Sequence, residues 1–152
     1  HSSPEMSLQL FHPATVHFPL ALLLAGTLFT LLYVQGRGRA FATSAYHCLV
    51  AGWLGGVVTT VAGVVAAVPQ VVGPDAPHAD KLNWVNAHAA VSIAALLVFG
   101  QALLRYRRDP GLLDDAGRRR GYLALLLGGS ALLVAGGWLG GHLVYSLGLG
   151  TQ

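Results

Sequence analysis

Four stretches of the chain carry no charged residue: 18–34, 41–68, 82–104 and 121–149. Each reaches the ~17–25 apolar residues with which a helix crosses ~30 Å of hydrocarbon. Within these runs apolar and polar positions do not alternate, as the strands of a membrane barrel require. A helix also pairs every backbone group within itself, which a solvent without water demands. The pattern therefore predicts an all-α integral membrane protein with helices at about 13–35, 41–68, 83–106 and 121–149. It is read as one domain over 1–152, an up-down four-helix bundle.

Punctuation along the chain refines these bounds. Pro13 or Pro19 suits the first turn of the first helix, where the missing N–H would have had no partner anyway. Gln35-Gly36-Arg37-Gly38-Arg39 is a glycine-rich stop with cationic flanks. Pro69 is expected to close the second helix by Val68, and with Pro74 and Pro77 to stiffen the connection that follows. Asn83 and Asn86 are plausible caps of the third helix. The stretch 107–120 mixes Asp109, Asp114 and Asp115 with arginines and reads as a solvated hairpin.

Small residues mark where helices come together. Gly52, Gly56 and Gly63, with Thr59 and Thr60, fall on or near one face of the second helix. The fourth helix carries Gly128, Gly129, Gly136, Gly137, Gly140 and Gly141. Small residues at four-residue spacing let membrane helices approach closely, and Gly137 and Gly141 are expected contact points. Gly52-Trp53-Leu54-Gly55-Gly56 recurs as Gly137-Trp138-Leu139-Gly140-Gly141. That faint repeat raises the idea of two hairpins related by an axis along the membrane normal, although its copies lie at different depths.

Composition agrees with the pattern: 10% of the residues are charged, against roughly 25% in a soluble domain. Charge adds an orientation. Arg37 and Arg39 lie between the first two spans, and Arg105, Arg107, Arg108, Arg118, Arg119 and Arg120 lie between the last two. Lys81 stands alone in the middle connection. By the positive-inside rule the arginine loops face the cytoplasm, with both termini and the middle loop outside. The expected setting is the bacterial inner membrane, crossed several times, with the lipid bilayer as the first partner. These arginines hug helix ends, so nucleic acid is not an expected partner. The single cysteine, Cys48, excludes an intramolecular disulfide and any CxxC motif. No basic stretch of a secretory signal precedes His12, so the first helix is expected to remain in the mature protein.

The chemistry concentrates in histidines. His17 opens the first apolar run, with His12 just ahead of it. His88 follows Lys81 by seven residues, which places it roughly 10 Å below the outer surface at helical rise. His142 is about two turns from the outer end of the fourth helix, near Trp138 and Tyr145. Three helices thus bring a histidine to one membrane level, while His47 belongs to the cytoplasmic half and His78 to the outer surface. Ionisable groups at lipid depth are costly and usually functional. Neutral imidazole suits haem iron, zinc or copper. In an up-down bundle the first and third helices are diagonal, so His17 and His88 could bind the two faces of one b-type haem iron. His142, His12, Trp138 and Tyr145 are then candidate contacts of the cofactor. The competing readings are a histidine site for a transition metal or for relayed protons, a solvated or snorkelling role for His12, His47 and His78, and an interfacial belt of Trp84 and Tyr145.

Two motifs carry a family resemblance. His12-Pro13-x-x-Val16-His17-Phe18-Pro19 and Gly140-Gly141-His142-Leu143-Val144-Tyr145 resemble the DUF2231 family of predicted bacterial membrane proteins, over nearly the whole chain. The resemblance implies kinship with two-haem cytochrome b-like membrane proteins, some joined to Rieske iron–sulfur domains, and hence haem binding and electron transfer. The family's motif histidines fall on His12, His17 and His88. One departure is that the family continues its last motif as Leu-Val-Tyr-x-His-Gly, where this chain has Ser146-Leu147-Gly148. With that histidine missing and His47 alone on the cytoplasmic side, at most one haem b is expected.

The leading expectation is a small b-type cytochrome or cytochrome subunit moving electrons near the outer face, with a Rieske or c-type cytochrome protein as redox partner. The alternatives are a cofactor-free structural subunit of a larger membrane complex and a transition-metal binding or transport module. An electron carrier or subunit is favoured over a stand-alone enzyme. The charge-free spans hold no acidic side chain, and no serine sits in a nucleophile motif, which argues against a hydrolase.

Overall fold

A computed structural model of the chain describes residues 4–148, with side chains from Thr15 onward. Its four long helices are α1 (Pro4–Val34), α2 (Ala40–Val71), α3 (Leu82–Arg108) and α4 (Arg118–Gly141). Each contains a stretch long and apolar enough to cross a membrane. A wide turn of π geometry, His142–Ser146, continues α4. Short 3-10 turns precede α3 and α4, at Ala79–Lys81 and Leu112–Asp114. The described residues contain no strand, as the apolar pattern requires.

The prolines punctuate less than their chemistry suggests. Helix α1 starts at Pro4, so Pro13 and Pro19 both lie inside it. Helix α2 runs past Pro69 to Val71, and Val72 N–H closes it on the Val68 carbonyl at 2.9 Å. A proline in a helix interior forfeits one backbone hydrogen bond, and a membrane leaves the chain little alternative to staying helical. By contrast α1 stops where the glycines predict. Gly36 takes φ +91°, a left-handed conformation that costs glycine little. There Gly36 N–H and Arg37 N–H return to the carbonyls of Tyr33 and Leu32.

Neighbouring helices run antiparallel, and glycines set their spacing. A Cβ on Gly52 would lie 2.9 Å from Leu23 Cγ, and one on Gly26 would lie 2.6 Å from Leu49 Cγ, so α1 and α2 touch almost backbone to backbone. In the second hairpin a Cβ on Gly129 of α4 would lie 2.8 Å from the ring of Phe99. Between hairpins the fastenings are sparser and partly polar. Trp53 Nε1 donates to the Leu96 carbonyl across the α2–α3 seam at 2.8 Å. Across the α1–α4 seam Ser130 Oγ donates to Thr27 Oγ1 at 3.2 Å, and Tyr122 meets the Thr30 hydroxyl.

The bundle has a closed end and an open end. Leu23, Leu49, Phe99 and Leu126 are fully buried, joined by Tyr122, Leu112 and Leu113 toward the arginine loops. Toward the termini burial falls away. Past Gly56, α2 buries Thr59 and Val71. On α3 no residue before Ala95 is buried, and on α4 past Gly129 Gly136 alone is. Val58, Val61 and Val65 face outward, as a lipid-contacting stripe should.

Each end is tied by polar contacts. At the arginine end Tyr33 Oη donates to Asp114 Oδ1 at 2.5 Å, and Arg39 lies 3.5 Å from Asp114 Oδ2. Arg118 pairs with Asp109 and Asp115. Asp115 Oδ1 accepts from the backbone N–H groups of Gly117 and Arg118, at 2.9 and 2.8 Å. The Arg118 N–H above all holds its carboxyl below the usual carboxylate range. That contribution to stability is complete above the ordinary carboxylate pKa and is lost as pH falls through the lowered one. At the terminal end Lys81 Nζ donates to the Leu147 carbonyl at 2.5 Å and lies 3.3 Å from His78 Nδ1.

The arginine asymmetry gives a directional expectation. In a Cys48→Ala background, Ala116→Cys should resist an impermeant thiol reagent on intact cells and react once the membrane is opened. Labelling of intact cells would reverse the orientation.

Candidate functional site

His88 is the best-defined histidine at the terminal end. It lies seven residues, close to two turns, before the fully buried Ala95, so the helical repeat aims it at the bundle. Gly140 of α4 makes room for it: a Cβ there would stand 3.1 Å from His88 Cε1. Its Nδ1 lies 3.0 Å from the Gly136 carbonyl oxygen. A carbonyl can only accept, so Nδ1 is the donor in this contact, and the neutral tautomer that makes it has its lone pair on Nε2. One turn deeper on α3, Ser92 Oγ faces Gly136 at a Cβ distance of 3.5 Å. The small residues of α4 thus serve as a seat for α3 polar side chains.

His142 stands beside this seat in an aromatic bracket. Its ring is 4.8 Å from that of Trp84 and stacks on Trp138 at 5.7 Å, with 11° between planes. Trp138 is 65% exposed, and Tyr145 at 90% points away from the protein altogether. Both suit an interface where one end of the ring is apolar and the other wet. The described contacts join His142 to Trp84 and Trp138, and they join His88 to α4, without uniting the two histidines.

The remaining candidates are dispersed. His17 is exposed on α1. The side chain of His12 lies outside the described residues. His47 is exposed toward the arginine end, 6.0 Å from the Tyr46 ring, and His78 sits beside Lys81. Asn83 and Asn86 are exposed, and α3 begins without a side-chain cap. Among the described residues no three of His, Cys, Asp and Glu gather as a metal site. A cavity of about 310 Å³ lies at the arginine end, away from these histidines.

The glycine assignments of the fourth helix shift by one position. Contacts fall on Gly129, Gly136 and Gly140, whereas Gly137 has nothing within 4 Å and Gly141 meets Tyr145 at 4.0 Å. The recurring Gly-Trp-Leu-Gly-Gly segments also take different parts. Trp53 is a partly buried donor between hairpins, while Trp138 is an exposed stacking surface.

Sequence reasoning missed Trp53, Tyr33 and Lys81 as cross-links. Each is a long side chain with a polar tip, and a carbonyl acceptor such as that of Leu96 or Leu147 leaves no mark in a sequence.

In comparison with known proteins, the family model described as a predicted membrane protein, DUF2231, fits residues 9–152. No curated protein and no solved structure matches.

Proposed function

The chain belongs to the DUF2231 family of predicted membrane proteins, and from that premise we propose that it is a haem b-bearing electron-transfer subunit of the bacterial inner membrane. The observation that carries the proposal is His88. Its ring is held by the Gly136 carbonyl with Nδ1 as donor, the kind of contact that orients an imidazole to bind a metal through Nε2. It also sits in the half of the bundle where α3 buries no residue.

The donor chemistry fits the group. His88 would hold the group from one side, and a histidine of α1, the helix diagonal to α3, would hold it from the other. Helices packed at 8–10 Å put diagonal axes roughly 11–14 Å apart, a span for two imidazoles on one iron. The α1 histidines that could supply the second imidazole are His12 and His17. His17 precedes the buried Pro19 by two, so it is out of phase with it and is exposed. We therefore assign the second ligand to His12 and a flanking position to His17. His142, bracketed by Trp84 and Trp138, walls the side toward α4. The haem would supply one-electron chemistry, and its potential would be tuned by axial ligation and by the polarity of the pocket. Trp138 and Tyr145, exposed at the terminal end, offer the surface on which a Rieske or c-type cytochrome partner would dock.

The test is a visible spectrum of protein purified from haem-replete cells, oxidised and then dithionite-reduced. A low-spin haem with a sharp α band on reduction is expected. If the preparation lacks a Soret band, the proposal fails.

A second reading has an observation of its own. Gly137 of α4 is exposed, and a Cβ there would meet nothing within 4 Å. A cofactor-free subunit packed on a larger complex would use such an open small-residue position. Co-purification of a second membrane chain, lost in Gly137→Leu, would favour it.

A further inference from the structure

The cavity at the arginine end has a composition of its own. Its apolar side is Val34, the last residue of α1, and Leu113, which is 4% exposed. Its polar side holds Tyr33, Asp114 and two arginines, Arg37 from the α1–α2 turn and Arg119 from the first turn of α4. Gly36, at φ +91°, reverses the chain so that Arg37 comes back over the end of α1.

The charges in this cavity do not cancel. Asp114 is its carboxylate, and it is already engaged by the Tyr33 hydroxyl and by Arg39. Among the described residues, neither Arg37 nor Arg119 has a carboxylate within ion-pairing distance. Arg119 is nevertheless half-buried. A partly desolvated guanidinium such as that of Arg119 is costly without a counter-ion, and the exposed Arg37 facing the same hollow adds its attraction for an anion placed between them. The backbone amides of Gly36 and Arg37 are spent on capping α1, so the guanidiniums are the donors available.

Depth narrows the anion further. The cavity lies where the apolar spans of α1 and α4 meet the arginine loops, at the polar edge of the membrane. Planar guanidinium forks match phosphate oxygens two at a time. Basic pockets between helices on the cytoplasmic side are suited to acidic headgroups. We propose that Arg37 and Arg119 form a binding site for a phosphate group, that of an anionic phospholipid headgroup or of a soluble phosphate. Arg37 and Arg119 would clasp the phosphate oxygens, Tyr33 and Asp114 would brace the wall, and Val34 with Leu113 would face the glycerol and upper acyl carbons of a lipid. This site stands independently of the haem reading.

The experiment is native mass spectrometry of the full chain in uncharged detergent, titrated separately with phosphatidylglycerol, phosphatidylcholine and inorganic phosphate. One phosphate-bearing anion should be retained per chain, in preference to phosphatidylcholine. Phosphatidylglycerol retained while inorganic phosphate is not assigns the site to lipid, and retention of inorganic phosphate alone assigns it to a soluble anion. The double variant Arg37→Gln/Arg119→Gln should weaken binding by about 25-fold, roughly fivefold for each arginine removed. The control Arg107→Gln/Arg108→Gln, which removes equal charge outside the cavity, should stay within about twofold. Equal losses in the two double variants would reduce the effect to net charge and overturn the site, as would failure of both anions to bind.

Discussion

His88→Ala is expected to remove the low-spin haem spectrum altogether, leaving protein that still elutes as a folded bundle. The reasoning is geometric. The ring seats on Gly140 and hydrogen-bonds Gly136, but it adds no bulk to the buried core around Phe99 and Leu126, so folding should survive its loss. His12→Ala should give the same loss or a five-coordinate, high-spin haem. His17→Ala should be milder, because that side chain is exposed and out of phase with the buried stripe of α1. His47→Ala should leave the spectrum unchanged. Its ring is exposed toward the arginine end, several helical turns away at 1.5 Å per residue. A wild-type spectrum in His88→Ala would remove that residue from the ligand set, and complete loss in His17→Ala with none in His12→Ala would exchange the two α1 histidines.

The second large effect concerns the repeated Gly-Trp-Leu-Gly-Gly segment. Gly52→Leu should lower stability in detergent by at least ~1–3 kcal/mol, the usual cost of overpacking, and more if α1 and α2 separate. A first side-chain carbon at Gly52 would sit 2.9 Å from Leu23 Cγ and 3.0 Å from the Leu23 backbone nitrogen. A backbone atom cannot rotate aside as the end of a long side chain can. The corresponding variant Gly137→Leu meets open space and should change the isolated chain by no more than ~0.5 kcal/mol. Thermal unfolding of the two variants side by side reads this difference. Equal destabilisation would place a partner for Gly137 within the folded chain, against the geometry.

The fold was legible because the membrane makes secondary structure nearly obligatory. Charge-free runs locate helices well when lipid permits little else, although α4 ends at Gly141 and gives way to the wide turn His142–Ser146 inside the fourth run. Pro13, Pro19 and Pro69 show where local rules yield. The same solvent that makes helices obligatory keeps them going through prolines that would end them in water. At the candidate site, depth was readable and direction was not. Counting residues from Lys81 gave the level of His88, but whether His12 or His17 faces the bundle depends on which stripe of α1 is buried. That stripe, Pro19, Leu23 and Thr30, emerges from packing against Gly52 and Gly55. The Gly136 carbonyl that orients His88 could not be read at all, since every residue has one.

The contrast between the tight seams inside each hairpin and the sparse polar fastenings between them bears on how the chain is made. Each hairpin is a self-sufficient insertion unit, whose two helices can zip together as soon as both have left the translocon. Docking of the finished pairs then depends on a handful of groups: Trp53 with Leu96, Ser130 with Thr27, and Tyr122 with Thr30. A gene cut within the connection after α2 should therefore yield two fragments that find each other in the bilayer.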